Sequence, residues 1–540
     1  MSESHPRRSA GQAPPWWRGA MIYHIYPRSF ADSNGDGIGD LPGIIAHLEY
    51  IASLGVDAIW LSPFYTSPMK DFGYDVADYC NVDPIFGALA DFDQLVARAH
   101  SLGLRVVIDQ VFSHTSDQHP WFQESRANRT NERADWYVWA DPKPDGSPPS
   151  NWQSVFGGPA WAWDARRQQY YLHNFLLEQP DLNVHHPDVQ NALLECARFW
   201  LDRGVDGFRL DAIDYTMHDP ALTDNPAKPA DGRVRTRPVD FQEPRYNKGH
   251  PRLVTFIERV RALTEAYGDR FTVAEVGGEG AEATMKLVTA GDRRLHTSYG
   301  FNFLYADALT PSLVRSAIEA WSDDTGALWP SWAFSNHDAP RAVSRWSAPR
   351  DRAAAARLAL LLLVSLRGNL FLYQGEELGL PQAEVGFADL KDPEAIANWP
   401  LTLGRDGART PMPWKQHAPY AGFSTVQPWL PVPESHAELA ADAQDLDESS
   451  TLSLARGLVR FRRDQPALRF GSIRIIEASK ALLIFERAFE SEHLLCAFNL
   501  STAAGDFQPP SGSAWRAVQA VGGARLGHLP PLSGLIAARG

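Results

Sequence analysis

The chain has 540 residues, a formal net charge of −14 and an ordinary globular composition, with 44% hydrophobic and 21% charged residues. This length exceeds what one compact core accommodates, so two or three domains are expected. The acidic balance disfavours nucleic acids and anionic membrane surfaces as partners, because both repel a negatively charged protein. The simplest role of the charge itself is to keep the protein soluble.

Cysteine usage and the apolar segments bear on the compartment. Only three cysteines occur, Cys80, Cys196 and Cys496, and their odd number and wide spacing fit neither a disulfide framework nor a CxxC zinc site. Residues 1–18 form an N-terminal arm without the apolar core of a signal peptide. The longest apolar run, 358–366, is too short to span a bilayer. The sequence therefore predicts a cytoplasmic protein that binds neither membrane nor nucleic acid.

A helix, a glycine and a short apolar strand recur along the chain. Leu95, Ala99 and Leu102 lie at helical spacing, Gly103 follows them, and 105–108 is a mostly apolar run. This alternation predicts parallel strands joined by right-handed crossovers. Eight such strands are predicted, at 21–26, 56–61, 105–108, 207–210, 272–276, 301–305, 332–335 and 369–373. Eight units close into an α/β fold of the TIM type, a (β/α)8 barrel with its active site at the carboxyl ends of the strands.

Two stretches depart from this alternation. Residues 112–180 are rich in Trp, Pro, Asn and Gly, and because structureless loops of that length are uncommon, we expect a small domain inserted after the third strand. Past residue 463 the helical period fades, and alternating strands are predicted at 472–476, 481–485 and 494–498. These strands predict a C-terminal antiparallel β-sandwich. The expected domains are thus the barrel, 19–111 and 181–462, the insertion, 112–180, and the sandwich, 463–540.

Polar side chains gather where the predicted barrel strands end. Arg209 and Asp211 share one face of their strand, because successive side chains alternate. Other strand ends supply Asp109, His114, Glu275, His337 and Asp338. Any one of these could be a buried ion pair or a strand-end cap, but their convergence suits glycoside hydrolysis. One carboxylate attacks the anomeric carbon and a second carboxyl group protonates the leaving oxygen, roughly 5–5.5 Å away in retaining enzymes. Arg209 can hold Asp211 ionised, whereas Glu275 must start protonated.

Four short motifs carry a resemblance to a known family. They are Asp-Gln-Val-Phe-Ser-His at 109–114, Gly-Phe-Arg-Leu-Asp at 207–211, Ala-Glu-Val at 274–276 and Ser-Asn-His-Asp at 335–338. Together they resemble the sequence regions of the α-amylase superfamily, glycoside hydrolase family 13. Three more segments are similar to its α-glucosidase and oligo-1,6-glucosidase branch, at 179–183, 373–379 and 409–414. The resemblance runs from about residue 20 to residue 465.

The resemblance implies a role for each residue of the predicted site. Asp211 would be the nucleophile, Glu275 the acid/base, and Asp338 the carboxylate that grips the C2 and C3 hydroxyls of the distorted sugar. His114 and His337 would hydrogen-bond hydroxyls around the same ring.

It also implies a closed sugar pocket. Tyr74, Phe156 and Phe175 would form an apolar wall on which a sugar face stacks, although ordinary core packing explains these residues more simply without the family. Asp71 and Arg409 would meet O4 at the non-reducing end. Closure at that end makes an enzyme trim terminal units rather than cut inside a polymer.

Two neighbouring positions bear on specificity. Ser113 stands beside His114 where most relatives carry Asn, so the support of the adjacent strand ends must differ. Ala212 directly follows the predicted nucleophile. By the same resemblance, family members that prefer α-1,6 bonds carry valine at this position, and those that prefer α-1,4 bonds carry alanine or threonine. The resemblance therefore predicts activity on maltose over isomaltose.

An oxygen-rich loop precedes the first barrel helix. Every second position of this loop can supply an oxygen ligand. The side chains are those of Asp32, Asn34, Asp36 and Asp40, and Ile38 would add its backbone carbonyl. The loop begins like an EF-hand, but glycine occupies the twelfth position, where a bidentate glutamate belongs. We expect a structural Ca²⁺ or Mg²⁺ site, as relatives carry, with a hydrogen-bonded turn as the alternative.

The resemblance predicts a retaining, exo-acting α-glucosidase. It would hydrolyse terminal α-1,4-linked glucose from maltose and short α-glucosides through a glucosyl–Asp211 intermediate, with transfer to alcohol or sugar acceptors. The alternative is a transglucosylase or isomerase of the trehalose synthase or sucrose isomerase type, which shares that intermediate. An inactive transporter partner is disfavoured because all three carboxylates are present, and a starch-binding module because the pocket is closed. No organic cofactor is expected, and the protein would be a monomer or homodimer with a small α-glucoside as its partner.

Overall fold

The structure is a computed structural model that describes residues 14–232, 234–278, 280–322, 328–401, 404–512 and 514–540. Most of the predicted N-terminal arm therefore lies outside the described residues. No helix within these ranges has the length and apolarity needed to cross a membrane.

Eight parallel strands form the central sheet. They are β1 (Met21–Ile25), β2 (Ala58–Leu61), β3 (Arg105–Val111), β4 (Gly207–Asp211), β5 (Phe271–Val276), β6 (Thr297–Gly300), β7 (Ser331–Ala333) and β8 (Asn369–Tyr373). Their order is β6-β5-β4-β3-β2-β1-β8-β7, and a parallel bridge between Ser298 and Pro330 joins the two ends. The hydroxyl groups of Thr297 and Ser331 lie 2.8 Å apart across that seam. The predicted barrel is confirmed.

One of the eight predicted strands is misplaced. The prediction for 301–305 is wrong, because β6 ends at Gly300 and the turn after it occupies those residues. The polar residues of β6 are satisfied within the barrel, where Ser298 Oγ donates to the Ala274 carbonyl at 3.0 Å. Phe301 instead packs its ring on Gly277, where an added Cβ would lie only 2.2 Å from the ring. The apolar run therefore packs on the loop after β5 rather than continuing the sheet.

Helices cover the outside of the barrel. The longest are Leu89–Ser101, Pro187–Asp202, Leu253–Glu265, Ala281–Thr289, Pro311–Ala320, Arg352–Ser365 and Thr451–Asp464. Shorter helices elsewhere in the described chain are Leu41–Ala46, Leu48–Leu54, Pro120–Ser125, Ala342–Trp346, Pro393–Asn398, Glu434–Ala437, Ala441–Asp445 and Pro466–Arg469. Their ends follow local rules: Thr310 caps its helix by accepting from Leu313 N, and Gly55, at φ 86°, ends the Leu48–Leu54 helix in the left-handed conformation. Apolar stripes such as Phe92, Leu95 and Ala99 face the strands.

The segment between β3 and the next long helix contains its own small sheet. Three antiparallel strands stand in the order Trp139–Ala140, Gln169–Leu172, Trp161–Asp164. A separate cluster of buried residues supports it, namely Val138, Trp152, Ala160, Trp161 and Leu172. Backbone bridges from His114 to Asp181 and from Tyr137 to Leu182 tie this segment to the end of β3.

The C-terminal region is antiparallel, as predicted. Its five-stranded sheet has the order Ser472–Ala478, Leu482–Phe489, Glu492–Asn499, Ser533–Arg539, Trp515–Val521, and a two-stranded sheet pairs Gly505–Asp506 with His528–Leu529. Alternation divides the larger sheet into two apolar faces. On one face, Leu495 packs with Phe507, which follows a strand of the smaller sheet, and with Leu529, which lies in that sheet. On the other face, Phe498 belongs to the cluster that includes the barrel helices.

Candidate active site

Strand register sets the centre of the site. Asp109 of β3 pairs with Arg209 of β4, and Glu275 of β5 pairs with Tyr299 of β6. Parallel strands end at one edge of a barrel, so these four side chains meet at the same mouth. Arg209 is wholly buried, whereas the predicted catalytic residues Asp211 and Glu275 keep exposed fractions of 8% and 6% and therefore face an opening.

The Arg209 guanidinium contacts three carboxylates at once. Nη1 lies 2.6 Å from Oδ1 of Asp109 and 2.6 Å from Oδ1 of Asp211, and Nη2 lies 2.6 Å from Oε1 of Glu275. Tyr299 accepts from Nε and Nη2 of Arg209 at 3.1 and 3.0 Å and donates to Oε1 of Glu275 at 3.2 Å. The predicted nucleophile and the predicted acid are thus held by the two η nitrogens of one side chain.

Burial dominates the protonation of these carboxyl groups. It raises the pKa of Glu275 to about 8; Arg209 opposes the rise, and the charges of Asp211 and Asp338 add to it. Burial also raises the pKa of Asp211 to about 7, with Arg209 lowering it and Asp109 raising it. Burial and the neighbouring negative charges therefore favour the protonated form of Glu275, which is the form that a general acid needs.

Asp338, the third predicted carboxylate, is held by two arginines. Arg409 Nη2 lies 2.7 Å and Arg405 Nη1 lies 3.5 Å from its Oδ1. Burial alone would raise the pKa of Asp338, but the two guanidinium groups hold it below its ordinary value. Asp338 therefore stays ionised and can accept hydrogen bonds from two neighbouring hydroxyls.

The cation beside Asp71 is Arg405, which the sequence analysis did not identify. Arg405 Nη2 lies 2.8 Å from Oδ1 of Asp71 and 2.8 Å from Oδ1 of Asp392. Arg409, which we expected to act with Asp71, donates instead to the His337 carbonyl at 2.7 Å and to Asp338. The only sequence signal for Arg405 is that it precedes Arg409 by one helical turn's spacing in Gly-Arg-Asp-Gly-Ala-Arg.

The two predicted histidines are buried neutral rings. His337 Nε2 lies 2.7 Å from the Tyr74 hydroxyl and 3.2 Å from Oδ2 of Asp338, and the rings of Tyr74 and His337 are parallel at 5.3 Å. Burial lowers the pKa of His337 well below its ordinary value and that of His114 to about 4. Ser113 Oγ lies 3.0 Å from Nδ1 of His114, so the shorter side chain supports the adjacent ring directly.

The three predicted aromatic residues are not equivalent. The ring centre of Phe175 lies 5.1 Å from that of His114 and 6.1 Å from that of Phe156. Arg405 Cζ lies 4.9 Å from the centre of the Phe156 ring. Phe156 and Phe175 therefore lie beside Arg405 and His114, at the charged end of the site. Tyr74 lies deeper, where its hydroxyl also donates to Oδ2 of Asp109 at 3.3 Å.

Lys248 is a second site neighbour that the sequence analysis missed. Its Nζ contacts Oδ2 of Asp214 at 2.9 Å and donates to the Gly277 carbonyl at 2.7 Å. Asp214 follows the end of β4 by three residues and Gly277 follows β5 directly. Lys248 therefore joins the loop after the predicted nucleophile to the loop after the predicted acid.

The residues predicted to hold a metal lie on one tight loop. Asp32 Oδ1 accepts from Gly35 N at 2.7 Å and Oδ2 from Gly37 N at 2.8 Å, Asp36 Oδ1 accepts from Ile38 N at 2.8 Å, and Asp40 caps the first helix by accepting from Gly43 N. Backbone bonds of this kind also orient carboxylates that ligate ions. Within the described ranges, no three His, Cys, Asp or Glu side chains are grouped closely enough to hold a metal by themselves. A site here would need the Asn34 amide and the Ile38 carbonyl as well.

A family model for the alpha amylase catalytic domain matches residues 24–471. The chain belongs to the α-amylase family of glycoside hydrolases. The chain is 52% identical over 503 residues to "Probable alpha-glucosidase" of Rhizobium meliloti (strain 1021), and the alignment covers 92% of this chain and 91% of the relative. It is 36% identical over 545 residues to "Oligo-1,6-glucosidase" of Heyndrickxia coagulans, covering 93% and 95%.

Two crystal structures extend the α-amylase family comparison. The alpha-glucosyl transfer enzyme XgtA superposes with a TM-score of 0.94 at 50% identity, covering 98% of this chain and 100% of that one. The trehalulose synthase MutB of Pseudomonas mesoacidophila MX-45 gives a TM-score of 0.89 at 32% identity, covering 98% and 100%. The shared fold thus serves both hydrolysis and transfer in similar proteins.

Proposed function

We propose that the protein is a retaining, exo-acting α-glucosidase that removes terminal α-1,4-linked glucose from maltose and short α-glucosides. The observation that carries this proposal is the contact of one guanidinium, Arg209, with Asp211 through Nη1 and with Glu275 through Nη2. The two carboxyl groups that a double displacement needs are thereby held by one side chain, which supports the proposal. The similarity to proteins named alpha-glucosidase and oligo-1,6-glucosidase supports the substrate class.

The proposed reaction has two steps. In the first, an oxygen of Asp211 attacks the anomeric carbon while the bond to the leaving oxygen breaks and Glu275 gives that oxygen its proton. In the second, the Glu275 carboxylate takes a proton from water, and the water oxygen displaces Asp211 from the anomeric carbon. Each displacement inverts the anomeric carbon, so the product retains the α configuration. Arg209 stabilises Asp211 as a carboxylate before the first step and again after the second.

Exo action would follow from the ion pairs at the end of the pocket. Asp71 with Arg405 and Asp338 with Arg409 present charged acceptors and donors to the hydroxyls of one terminal sugar. Both pairs are largely buried, and a second sugar beyond them would have to separate charges held at 2.8 and 2.7 Å. We therefore expect one glucose unit to be released at a time.

Glucosyl transfer would compete with hydrolysis on the same intermediate. An alcohol or sugar hydroxyl can take the place of water in the second step, with Glu275 again accepting the proton. The similarity to the alpha-glucosyl transfer enzyme XgtA and to the trehalulose synthase MutB favours some transfer. The second candidate function is an isomerase. It would transfer the glucosyl group back to a different hydroxyl of the sugar that had just left.

We further propose a structural Ca²⁺ or Mg²⁺ on the loop of Asp32, Asn34, Asp36 and Asp40, with the Ile38 carbonyl as the remaining ligand. Hard divalent cations prefer an all-oxygen set of this kind. The backbone hydrogen bonds to Asp32 and Asp36 hold the loop in a tight wrap, which suits ligation. The ion would brace the loop before the first barrel helix and would take no part in the chemistry.

Product analysis tests the proposed function. Purified enzyme is given maltose, isomaltose, sucrose and maltotriose, and initial rates and products are measured. We expect maltose to be preferred and glucose to dominate the products, with transfer products rising at high sugar concentration; trehalose or another isomer as the main product would establish the isomerase instead. Asp211→Asn, which keeps the shape but removes the nucleophile, is expected to leave below about a hundredth of the wild-type kcat. Activity retained in that variant would reject the mechanism.

A further inference from the structure

A surface cavity of about 340 Å³ takes no part in the proposed function. Its lining includes two cations, Arg28 and Lys391, one carboxylate, Asp389, and the rings of Phe72 and Trp429. Phe72 follows Asp71 in the chain, and Lys391 precedes Asp392, the second partner of Arg405. The cavity therefore lies behind the charged end of the sugar pocket.

Arg28 is fixed in this cavity by two aromatic faces. Its Cζ lies 4.8 Å from the centre of the Trp429 ring and 5.3 Å from that of the Phe72 ring. Trp429 is itself anchored, because its Nε1 donates to Ser29 Oγ at 3.1 Å and its backbone N to the Gly37 carbonyl at 3.0 Å. Cation–π contacts occupy the faces of the guanidinium and leave its edge for hydrogen bonds.

The edge of Arg28 is a set of buried donors without acceptors. Nε and Nη1 are buried, and neither donates to any residue that the structure describes. Two nearby groups are in the same position, the Tyr26 hydroxyl and Nη1 of Arg409, and Arg409 Cζ lies 5.3 Å from the Tyr26 ring. Buried polar atoms rarely go without a partner, since the loss of hydration is costly. Tyr26 and Arg409 lie outside the cavity lining, so Arg28 is the lining residue whose unpaired donors call for a ligand that accepts.

The charges and rings distinguish between possible ligands. A sugar would need a free aromatic face, but Arg28 lies over one face of each ring and the centres of the two rings are only 5.2 Å apart. Within the lining, a cation would meet two positive charges against the carboxylate of Asp389; the charges of Asp83 and Asp36 act on Arg28 from outside the lining. An anion, in contrast, would meet the Arg28 edge inside and Lys391 at the rim, and charge-assisted hydrogen bonds are roughly twice as strong as neutral ones. We propose that this cavity binds a small oxyanion, either phosphate or a carboxylate.

Phe72 separates the proposed anion site from the sugar pocket. The Cζ atom of Arg28 lies 5.3 Å from the centre of the Phe72 ring, and that of Arg409 lies 5.9 Å from it. Phe72 has φ 50°, a left-handed conformation that a bulky residue adopts only where its surroundings impose it. One ring held in this way screens the anion-binding arginine from the arginine that contacts Asp338.

Calorimetric titration with inorganic phosphate at neutral pH tests the site without any turnover. The variants are Arg28→Gln and Lys391→Gln, with Arg516→Gln on the exposed face of the C-terminal sheet as a matched control for loss of one positive charge. Arg405→Gln reports on binding inside the sugar pocket. We expect saturable binding to wild type, Arg516→Gln and Arg405→Gln with equal affinity, and a Kd at least about tenfold higher for Arg28→Gln. A smaller rise, about threefold, is expected for Lys391→Gln at the rim.

Three outcomes would overturn the proposal. One is the absence of saturable binding to wild type, and a second is unchanged affinity in Arg28→Gln. The third is loss of binding in Arg405→Gln but not in Arg28→Gln, which would move the anion into the sugar pocket. Circular dichroism checks each fold, and should Arg28→Gln fail to fold, unchanged affinity in the exposed variant Lys391→Gln rejects the site. None of these measurements depends on hydrolysis. A negative result would therefore reject the anion site without bearing on the proposed α-glucosidase activity.

Discussion

The amide N–H of Ala212 lies 3.2 Å from Oε2 of Glu275, so the residue after the predicted nucleophile touches the predicted acid. Ala212 has φ 36° and ψ 44°, in the left-handed region that residues with a side chain seldom adopt. This conformation ends β4, and the N–H of Ala212 donates to the carboxyl group of Glu275 in β5. A substitution at 212 therefore acts on both the leaving-group space and the acid.

Ala212→Val is expected to change linkage preference and to lower stability. The larger side chain narrows the space beside the leaving sugar, so the ratio of kcat/KM for maltose to that for isomaltose should fall. A β-branched residue at positive φ is strained, which should lower the free energy of unfolding by about 1–3 kcal/mol. Ala212→Gly is the matched control, since glycine adopts this conformation freely and should keep both properties. An unchanged ratio in Ala212→Val would count against the assigned role.

The pH dependence of stability should report on Glu275. Burial raises its pKa in the folded protein to about 8 from 4.5, so the folded state binds this proton more tightly than the unfolded chain. That stability is fully present below about pH 4.5 and is lost as the pH rises through about 8. Glu275→Gln cannot ionise, and we expect its free energy of unfolding to fall less steeply over this window. Parallel curves for the two proteins would show that Glu275 is not protonated as described.

The Asp71–Arg405 pair predicts a binding defect. Arg405→Gln leaves the buried carboxylates of Asp71 and Asp392 without their cation, and breaking such a pair is costly. We expect kcat/KM for maltose to fall at least about tenfold, with most of the change in KM. Arg463→Gln, an exposed site on the Thr451–Asp464 helix, serves as the charge-matched control. Wild-type kinetics for Arg405→Gln would remove it from the sugar pocket.

Metal removal tests the loop of Asp32–Asp40 separately from catalysis. Treatment with a chelator followed by dialysis should release one divalent ion and lower Tm by several degrees, and added Ca²⁺ or Mg²⁺ should restore it, because an ion bound only to the folded state stabilises that state. Asp36→Asn should bind the ion more weakly while keeping the turn. If elemental analysis finds no ion and Tm is unchanged, the loop is a hydrogen-bonded turn.

Much of the barrel was predictable because its strands are apolar and bounded by polar residues. β4 illustrates this, since one five-residue strand places Arg209 and Asp211 on a single face. β6 was missed because its polar residues, Thr297 and Ser298, are satisfied by partners from other strands. Those partners lie 34 and 24 residues away, so local composition could not reveal them.

The site was predictable at its centre and less so at its edges. Asp211 and Glu275 lie at strand ends, where the fold itself determines their direction. Arg405 lies on a loop and meets Asp71 from 334 residues away, a contact that only the folded chain creates. Lys248 likewise reaches the Gly277 carbonyl from a segment without regular structure. Loop contacts of this kind carry no periodic signal in the sequence.

The configuration of the first product tests the central claim most directly. Proton NMR during the first turnovers on an aryl α-glucoside, whose leaving group is not a sugar, distinguishes α-glucose from β-glucose before mutarotation mixes them. Two successive displacements, by Asp211 and then by water, predict that α-glucose appears first and the β anomer follows only at the rate of mutarotation. β-Glucose as the first product would mean a single displacement by water, and Asp211 would then not be the nucleophile.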